Sequence, residues 1–505
     1  VKVQPDLAAF TAAYDAGRRQ VVWTTLVSDL ETPVSALLKL ADGRPYSFLL
    51  ESVQGGEIRG RYSLIGFKPD LIWRCRGARC EINRHARADL EAFEPQDQPP
   101  LAALAELLEE CRIELPPELP PMAAGLFGYL GYDMVRLMER LPDANPDPLG
   151  IPDAVLMRPT VMAIFDGIEN LATIVTPARP AAGVSAAAAY EAACERLADA
   201  LADLERNVPH RRAIPGGGLE LPTPESNTSR AEYHAMVERA KEYIRAGDIF
   251  QVVPSQRFAL PFKLPSFALY RALRRLNPSP FLFHLDFGGF ALVGSSPEIL
   301  VRVRDGKVTI RPIAGTRRRG ASAAEDRALA EELLADPKEL AEHLMLLDLG
   351  RNDVGRVAQI GTVKVTEQMV VERYSHVMHI VSNVEGDLAA RFTALEALAA
   401  GFPAGTVSGA PKVRAMEIID ELEKARRSFY AGCIGYFAAN GTMDTCIALR
   451  TALVKDGTMY VQAGGGVVAD SDPESEYQET VNKAKALFRA AEEAVRFASE
   501  GRSQN

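Results

Sequence analysis

Three dipeptides restrict the fold of this chain more than any other feature: Asp305-Gly306 inside "VRVRDGKVTI", Asn440-Gly441 after "CIGYFAA", and Asp456-Gly457 after "IALRTALVK". Each stands between apolar, strand-forming runs, and Asn, Asp and Gly adopt at little cost the positive φ angles that tight hairpins demand. The flanking strands are therefore expected to be antiparallel neighbours. "IFQVVPSQRF" reads as a further strand, and "CIALRTALV" as one apolar strand with Arg450 in its middle. Helices are expected between the strand groups at roughly 322–350, 411–425 and 473–498. This is a mixed helix and sheet chain, without the regular alternation of a parallel barrel.

At 505 residues the chain exceeds the usual single-domain size, so two packed domains or one unusually large one are expected. The alanine-rich segment from Ser185 to Arg206 reads as a helix. "VPHRRAIPGGGLELPTPESN" follows it with prolines, consecutive glycines and no periodicity, the pattern of a linker. The expected division is 1–206, a linker over 207–225, and 226–505. Ser229 and Glu232 form a capping box for the next helix, which Gly247 stops.

A net charge of -10 argues against a nucleic-acid or anionic-membrane binder. No apolar run reaches the roughly 18 residues of a membrane span, and "VKVQPDLAAF" lacks signal-peptide order. A cytoplasmic protein working on small molecules is expected. The 6 cysteines are scattered, as reduced thiols are. Cys75, Cys80 and His85 lack a fourth zinc ligand and sit among arginines.

Against this background "KELAEHLMLLD" (338–348) stands out, because Glu339 and Glu342 share one face of a helix otherwise rich in Leu and Met. A buried carboxylate must be protonated, matched by a cation, or bound to a metal. Glu476 and Glu479 in "ESEYQETVNKAK" repeat the spacing. Glu479 could simply pair with Lys483 on a solvated face. Carboxylates on two separate helices are also what a magnesium ion would need.

Other stretches carry chemistry less specifically. "FPAGTVSGAPKVRAMEIIDELE" puts Pro411 at a helix start, where free backbone donors can receive an anion. In "VQAGGGVVADSDPES", Gly464, Gly465 and Gly466 allow close approach to the backbone. Arg450 calls for an anionic partner, either a substrate or a structural carboxylate. His376 and His379 in "RYSHVMHIV" lie in an apolar setting that suits structural histidines as well as catalytic ones. Cys433, in "AGCIG", lacks the first glycine of a nucleophile elbow.

Taken together, "LLESVQGGEIRGRYS", "GDIFQVVPSQ", "GSSPE", "RPIAGT", "ELAEHLMLLDLGRND", "FPAGTVSGAPK", "YAGCIGYF" and "QAGGGVVADSDPESEYQET" resemble the chorismate-utilising enzymes. Among these the resemblance is to the anthranilate synthase large subunits (component I). It implies an α+β fold, a β-sandwich core of antiparallel sheets flanked by helices, with an N-terminal regulatory, tryptophan-binding domain packed against a chorismate-binding catalytic domain. The implied reaction is a lyase reaction of tryptophan biosynthesis, turning chorismate and ammonia into anthranilate and pyruvate with Mg2+.

The resemblance further implies that Glu342 and Glu479 are the principal magnesium ligands, supported by Glu339 and Glu476. Arg450, Tyr430 and the amides at Gly464, Gly465 and Gly466 would grip the substrate's carboxylates. Gly315, Thr316 and Thr406 would line the same pocket, and Glu298 would lie beside the reacting ring. His379 would assist departure of the C4 hydroxyl as a protonated acid. Gln251 stands where isochorismate and salicylate synthases carry a lysine base, and Ala314 where aminodeoxychorismate synthases carry a lysine. Gln251 thus points to an amine-using site, and Ala314 argues against an aminodeoxychorismate synthase. "LLESVQGG" resembles a tryptophan-sensing motif, with Glu51 and Ser52 as polar contacts and Pro280, Phe281 and Leu282 as a second wall. No glutaminase segment is visible, so a separate glutamine amidotransferase subunit (component II) and a hetero-oligomer are implied. A catalytically dead sensor would show a broken Glu pair or a lost Arg450, and both are intact.

Overall fold

A computed structural model describes residues 2–41, 43–52, 60–209, 221–374 and 377–500, with residues 499 and 500 described by backbone alone. Among them, twenty-one strands join in one hydrogen-bonded network in which every pairing is antiparallel. Asp305 and Gly306 both have positive φ and close a two-residue hairpin, Arg304 facing Lys307. Asp456 and Gly457 do the same between Lys455 and Thr458. Asn440-Gly441 also joins antiparallel neighbours, but through a longer turn, Ala438 N–H donating to the Thr442 carbonyl at 2.8 Å.

The expected helix at 322–350 is two helices, Ala323–Ala335 and Pro337–Gly355. Asp336 stops the first and caps the second, its carboxylate accepting from Lys338 N at 3.0 Å. Proline at the first position of a helix lacks only an N–H that would be unsatisfied anyway. The expected strand over "IFQVVPSQRF" is likewise broken, at Pro254, into Gln251–Val252 and Ser255–Pro261. Ala186–Glu205 is helical with Ser185 as its cap, and Arg230–Arg245 carries the expected capping box.

The segments on either side of the expected linker are stitched together by strands. Ser47–Glu51 pairs with Phe281–Asp286, and Gly125–Leu130 pairs with Cys433–Ala438. Their inward side chains, including Phe48, Phe127, Phe283, Tyr436 and Phe437, share one apolar core. Phe48 and Phe127 stack with centroids 4.7 Å apart. A second core lies under Ala186–Glu205, Ser266–Leu276 and Pro473–Glu500. Among the described residues no helix is long and apolar enough to cross a membrane. His376, residues 53–56 of the "LLESVQGG" stretch, and much of the expected linker lie outside the described residues.

Candidate active site

Helix Pro337–Gly355 presents its two glutamates to one wall of a cleft, but it is not buried all round. His343, Leu346 and Leu347 face the core, while Leu344 is 47% exposed. Glu339 and Glu342 are both half-buried. Glu339 is held by Arg317 at 3.0 Å, and the same guanidinium reaches Asp336 and Glu332. Glu342 takes a hydrogen bond from Gln251 Nε2 at 2.8 Å. Burial pushes the Glu342 carboxyl above its ordinary range, and the nearby charges of Glu339 and Glu479 add to the push.

The triple glycine forms the floor of the cleft. A Cβ at Gly465 would lie 2.9 Å from Glu476 Oε2, and one at Gly466 would lie 2.8 Å from Gln251 Nε2. At Gly464 it would meet the Pro254 carbonyl at 2.9 Å and the Tyr430 hydroxyl at 3.0 Å. The absence of side chains is what lets Gln251, Glu476 and Tyr430 converge here.

Glu476 and Glu479 come from the first turns of helix Pro473–Glu500. Glu476 is buried, its Oε2 has no hydrogen-bond partner among the described residues, and burial followed by the Glu479 charge raises its carboxyl. Glu479 pairs with Lys483 at 2.7 Å, so the ion pair legible in the sequence is made. Lys483 Nζ also donates to the Gly464 carbonyl at 2.9 Å, and its charge acts on Glu342, Glu298 and Tyr430. From the sequence Lys483 is only a surface partner for Glu479. Its signal was present, since positions 476, 479 and 483 follow one helical face.

The donors facing this space are hard carboxylate oxygens, the kind a divalent cation such as magnesium accepts. In this conformation they do not converge: among the described residues no three acidic, histidine or cysteine side chains are close enough to hold a metal. Arg317 and Lys483 draw Glu339 and Glu479 aside. The unpartnered Glu476 Oε2 and the like-charge strain on Glu342 mark the side chains that a cation would relieve.

Across the cleft, Glu298 is buried and accepts from Thr406 Oγ1 at 3.0 Å. Burial raises its carboxyl to about 8, against the opposing pull of Thr406, the Ile313 N–H and Arg450. Arg450 itself departs from expectation. It is not inside a strand but in a bend at φ +50°, between Met443–Ile447 and Thr451–Lys455. The bend turns its guanidinium out of the ladder, toward Glu298 and Tyr374, whose charges act on it.

His379 Nδ1 lies 2.9 Å from the Gly315 carbonyl and 3.1 Å from Thr316 Oγ1, so the carbonyl fixes the proton on Nδ1. Gly315 has φ +67°, and a Cβ there would lie 3.0 Å from Glu339 Oε2. Burial lowers the His379 imidazole to about 4, leaving it neutral at neutral pH. Tyr430 is buried beside Gly464. Cys433 is buried, its thiol pushed up to about 12, which suits packing rather than nucleophilic attack.

A separate cavity of about 330 Å³ is lined by Glu51, Ser52, Pro280, Phe281 and Leu282 together with Arg302, Tyr436 and Cys446. The strand register sets Leu282 opposite Glu51, and Arg274 forms an ion pair with the Glu51 carboxylate. Two of its wall residues adjoin the cleft. Pro297 precedes Glu298, and the Ile313 N–H donates to the Glu298 carboxyl.

Residues 59–489 match the family model described as chorismate binding enzyme. The anthranilate synthase component 1 of Cereibacter sphaeroides is 64% identical over 490 residues, 97% of this chain and 98% of that protein. The solved anthranilate synthase component I from Streptococcus pneumoniae superposes with a TM-score of 0.74 at 36% identity, covering 92% of this chain and 98% of that one. The menaquinone-specific isochorismate synthase from Escherichia coli has the same fold, with a TM-score of 0.70 at 20% identity, covering 96% and 98%.

Proposed function

The chain belongs to the chorismate binding enzyme family, and from that premise we propose that it converts chorismate and ammonia to anthranilate, pyruvate and water. The supporting observation is the contact between Gln251 and Glu342. A neutral amide, not a base, occupies the spot beside the cleft carboxylate, and it is tied there at 2.8 Å. Water needs a base to attack the ring, whereas ammonia brings its own lone pair. An isochorismate synthase shares the fold, so the discrimination rests on this residue and on Ala314, which cannot form a covalent adduct.

In this reading Arg450, Tyr430 and the backbone N–H groups around Gly464–Gly466 hold the substrate's two carboxylates and orient the ring. The protonation states divide the remaining work between Glu298 and His379. Glu298 keeps its proton at neutral pH, so it can donate to the C4 hydroxyl, which leaves as water when nitrogen adds to the ring. His379 is unprotonated, and its free Nε2 can take the ring proton as the ether C–O bond breaks and the ring becomes aromatic, then return it to the departing enolate, which leaves as pyruvate. This reverses the acid role that the resemblance implies for His379. A magnesium ion held by Glu342 and Glu479 and supported by Glu339 and Glu476, once Glu339 and Glu479 are released from their cationic partners, would supply positive charge against the ring carboxylate.

We extend the same reading to control and partnership. The cavity at Glu51 and Ser52 is proposed to bind tryptophan as an inhibitor, within an N-terminal regulatory portion of the molecule. A separate amidotransferase subunit is proposed to supply ammonia from glutamine in a hetero-oligomer; the relatives' designation as component 1 supports this. The test is product chromatography of the purified chain with chorismate, magnesium and ammonium. Anthranilate should dominate, disappear with a chelator, and not form from glutamine alone. Isochorismate, salicylate or 4-amino-4-deoxychorismate as the main product would overturn the proposal.

A further inference from the structure

Arg427, just beyond helix Lys412–Leu422, is 1% exposed. A buried guanidinium is tolerated only when paired and hydrogen-bonded, and all three nitrogens of Arg427 are engaged. Nε donates to both Glu423 oxygens at 3.1 Å. Nη2 donates to Glu423 Oε1 and to the Val253 carbonyl, and Nη1 to the Val407 carbonyl, each at 2.6 Å. The guanidinium lies 4.9 Å from the Tyr132 ring and 5.4 Å from the Tyr430 ring. Glu423 in turn accepts from Ser255 N at 2.9 Å and Ser255 Oγ at 2.7 Å.

Apart from Tyr132, these contacts lead to backbone or side chains that adjoin the cleft. Val253 lies two residues after Gln251, Val407 follows Thr406, Tyr430 meets the guanidinium face, and Ser255 stands opposite Gly464 in strand register. We propose that Arg427, neutralised by Glu423, is a positioning residue that sets Gln251, Thr406 and Tyr430 in mutual register without touching substrate. The inference rests on the reaction proposed above. A lysine cannot replace it, because one ammonium lacks the planar fork that serves three acceptors at once.

The decisive readout is the pH profile. Thr406 lowers the Glu298 carboxyl against the effect of burial, so freeing Thr406 raises it further. If Glu298 works protonated, the basic limb of kcat then moves to higher pH. In Arg427→Lys, kcat should fall on the order of 100-fold, the scale of a 1 Å misplacement, with that upward limb shift. Adding Thr406→Val should cost little more, because Arg427→Lys has already loosened the Thr406–Glu298 contact. Leu197→Ala, in the second core, controls for lost stability and should keep the wild-type limb. If Arg427→Lys does not fold, Glu423→Gln should show the same upward shift with a smaller loss. A folded variant with wild-type kcat and an unmoved limb overturns the proposal, as do fully multiplicative losses with Thr406→Val. If the wild type makes no product, the functional reading fails. Calorimetry with chorismate then decides: binding tenfold or more weaker in Arg427→Lys supports the positioning role, and equal affinity overturns it.

Discussion

At the residue scale, burial sets the charge of the cleft. His284, His343 and His379 are all buried, and burial lowers each imidazole to about 4. A depressed imidazole contributes stability that is present above the unfolded value of 6.5 and lost as pH falls through about 4. The expected outcome in an imidazole NMR titration is that these three remain neutral down to about pH 5, and that adding the dianionic substrate raises His379 alone. A His379 signal titrating near 6.5 in the free protein would contradict the lowering that burial imposes. The glutamate pairs and Arg450 were legible in the sequence because charged residues in apolar runs are costly and therefore conspicuous. Their charge states were not. Whether Glu298 carries a proton depends on how deeply the fold buries it and on Thr406, more than a hundred residues away in the chain.

At the element scale, local chemistry and tertiary context part company. Two-residue hairpins at Asp305-Gly306 and Asp456-Gly457 and the capping box at Ser229 follow from rules a few residues long. The break at Arg450 does not: a β-rich run reads as one strand, and only pairing of Thr451 with Gly294 shows where the ladder restarts. The glycine strand end gives an element-level prediction. Gly466→Ala should leave the fold intact, since the atoms nearest its Cβ are the ends of the Gln251 and Glu342 side chains and not backbone. It should nevertheless break the Gln251–Glu342 hydrogen bond and lower kcat/KM on the order of 100-fold. Circular dichroism with steady-state kinetics checks this. Gly464→Ala, which meets the Pro254 carbonyl, should cost stability as well.

At the scale of the whole molecule, the cavity at Glu51 and the cleft share a wall through Pro297 and Ile313, both in contact with the Glu298 region. A ligand that displaces this wall must disturb Glu298. Tryptophan is therefore expected to weaken chorismate binding about 5- to 150-fold, with chorismate weakening tryptophan by the same factor. Ser52→Phe should fill the cavity and give an active, tryptophan-resistant protein. Calorimetry showing unchanged tryptophan affinity in that variant would place the inhibitor elsewhere. The expected linker marked a change in composition, yet strands from both sides of it pair directly. Composition reports where a chain is irregular, not which edges its strands will find.

In the proposed reaction one cleft aminates and then aromatises the ring, with Glu298 donating a proton first and His379 accepting one second. Quenched-flow chromatography of Glu298→Gln and His379→Ala with chorismate, magnesium and ammonium tests it most directly. Glu298→Gln should slow consumption of chorismate by about 10²- to 10⁴-fold, with no new compound accumulating. His379→Ala should still consume chorismate and accumulate an aminated, unaromatised compound that retains the enolpyruvyl ether. Accumulation of that compound by Glu298→Gln, or untouched chorismate with His379→Ala, would contradict it.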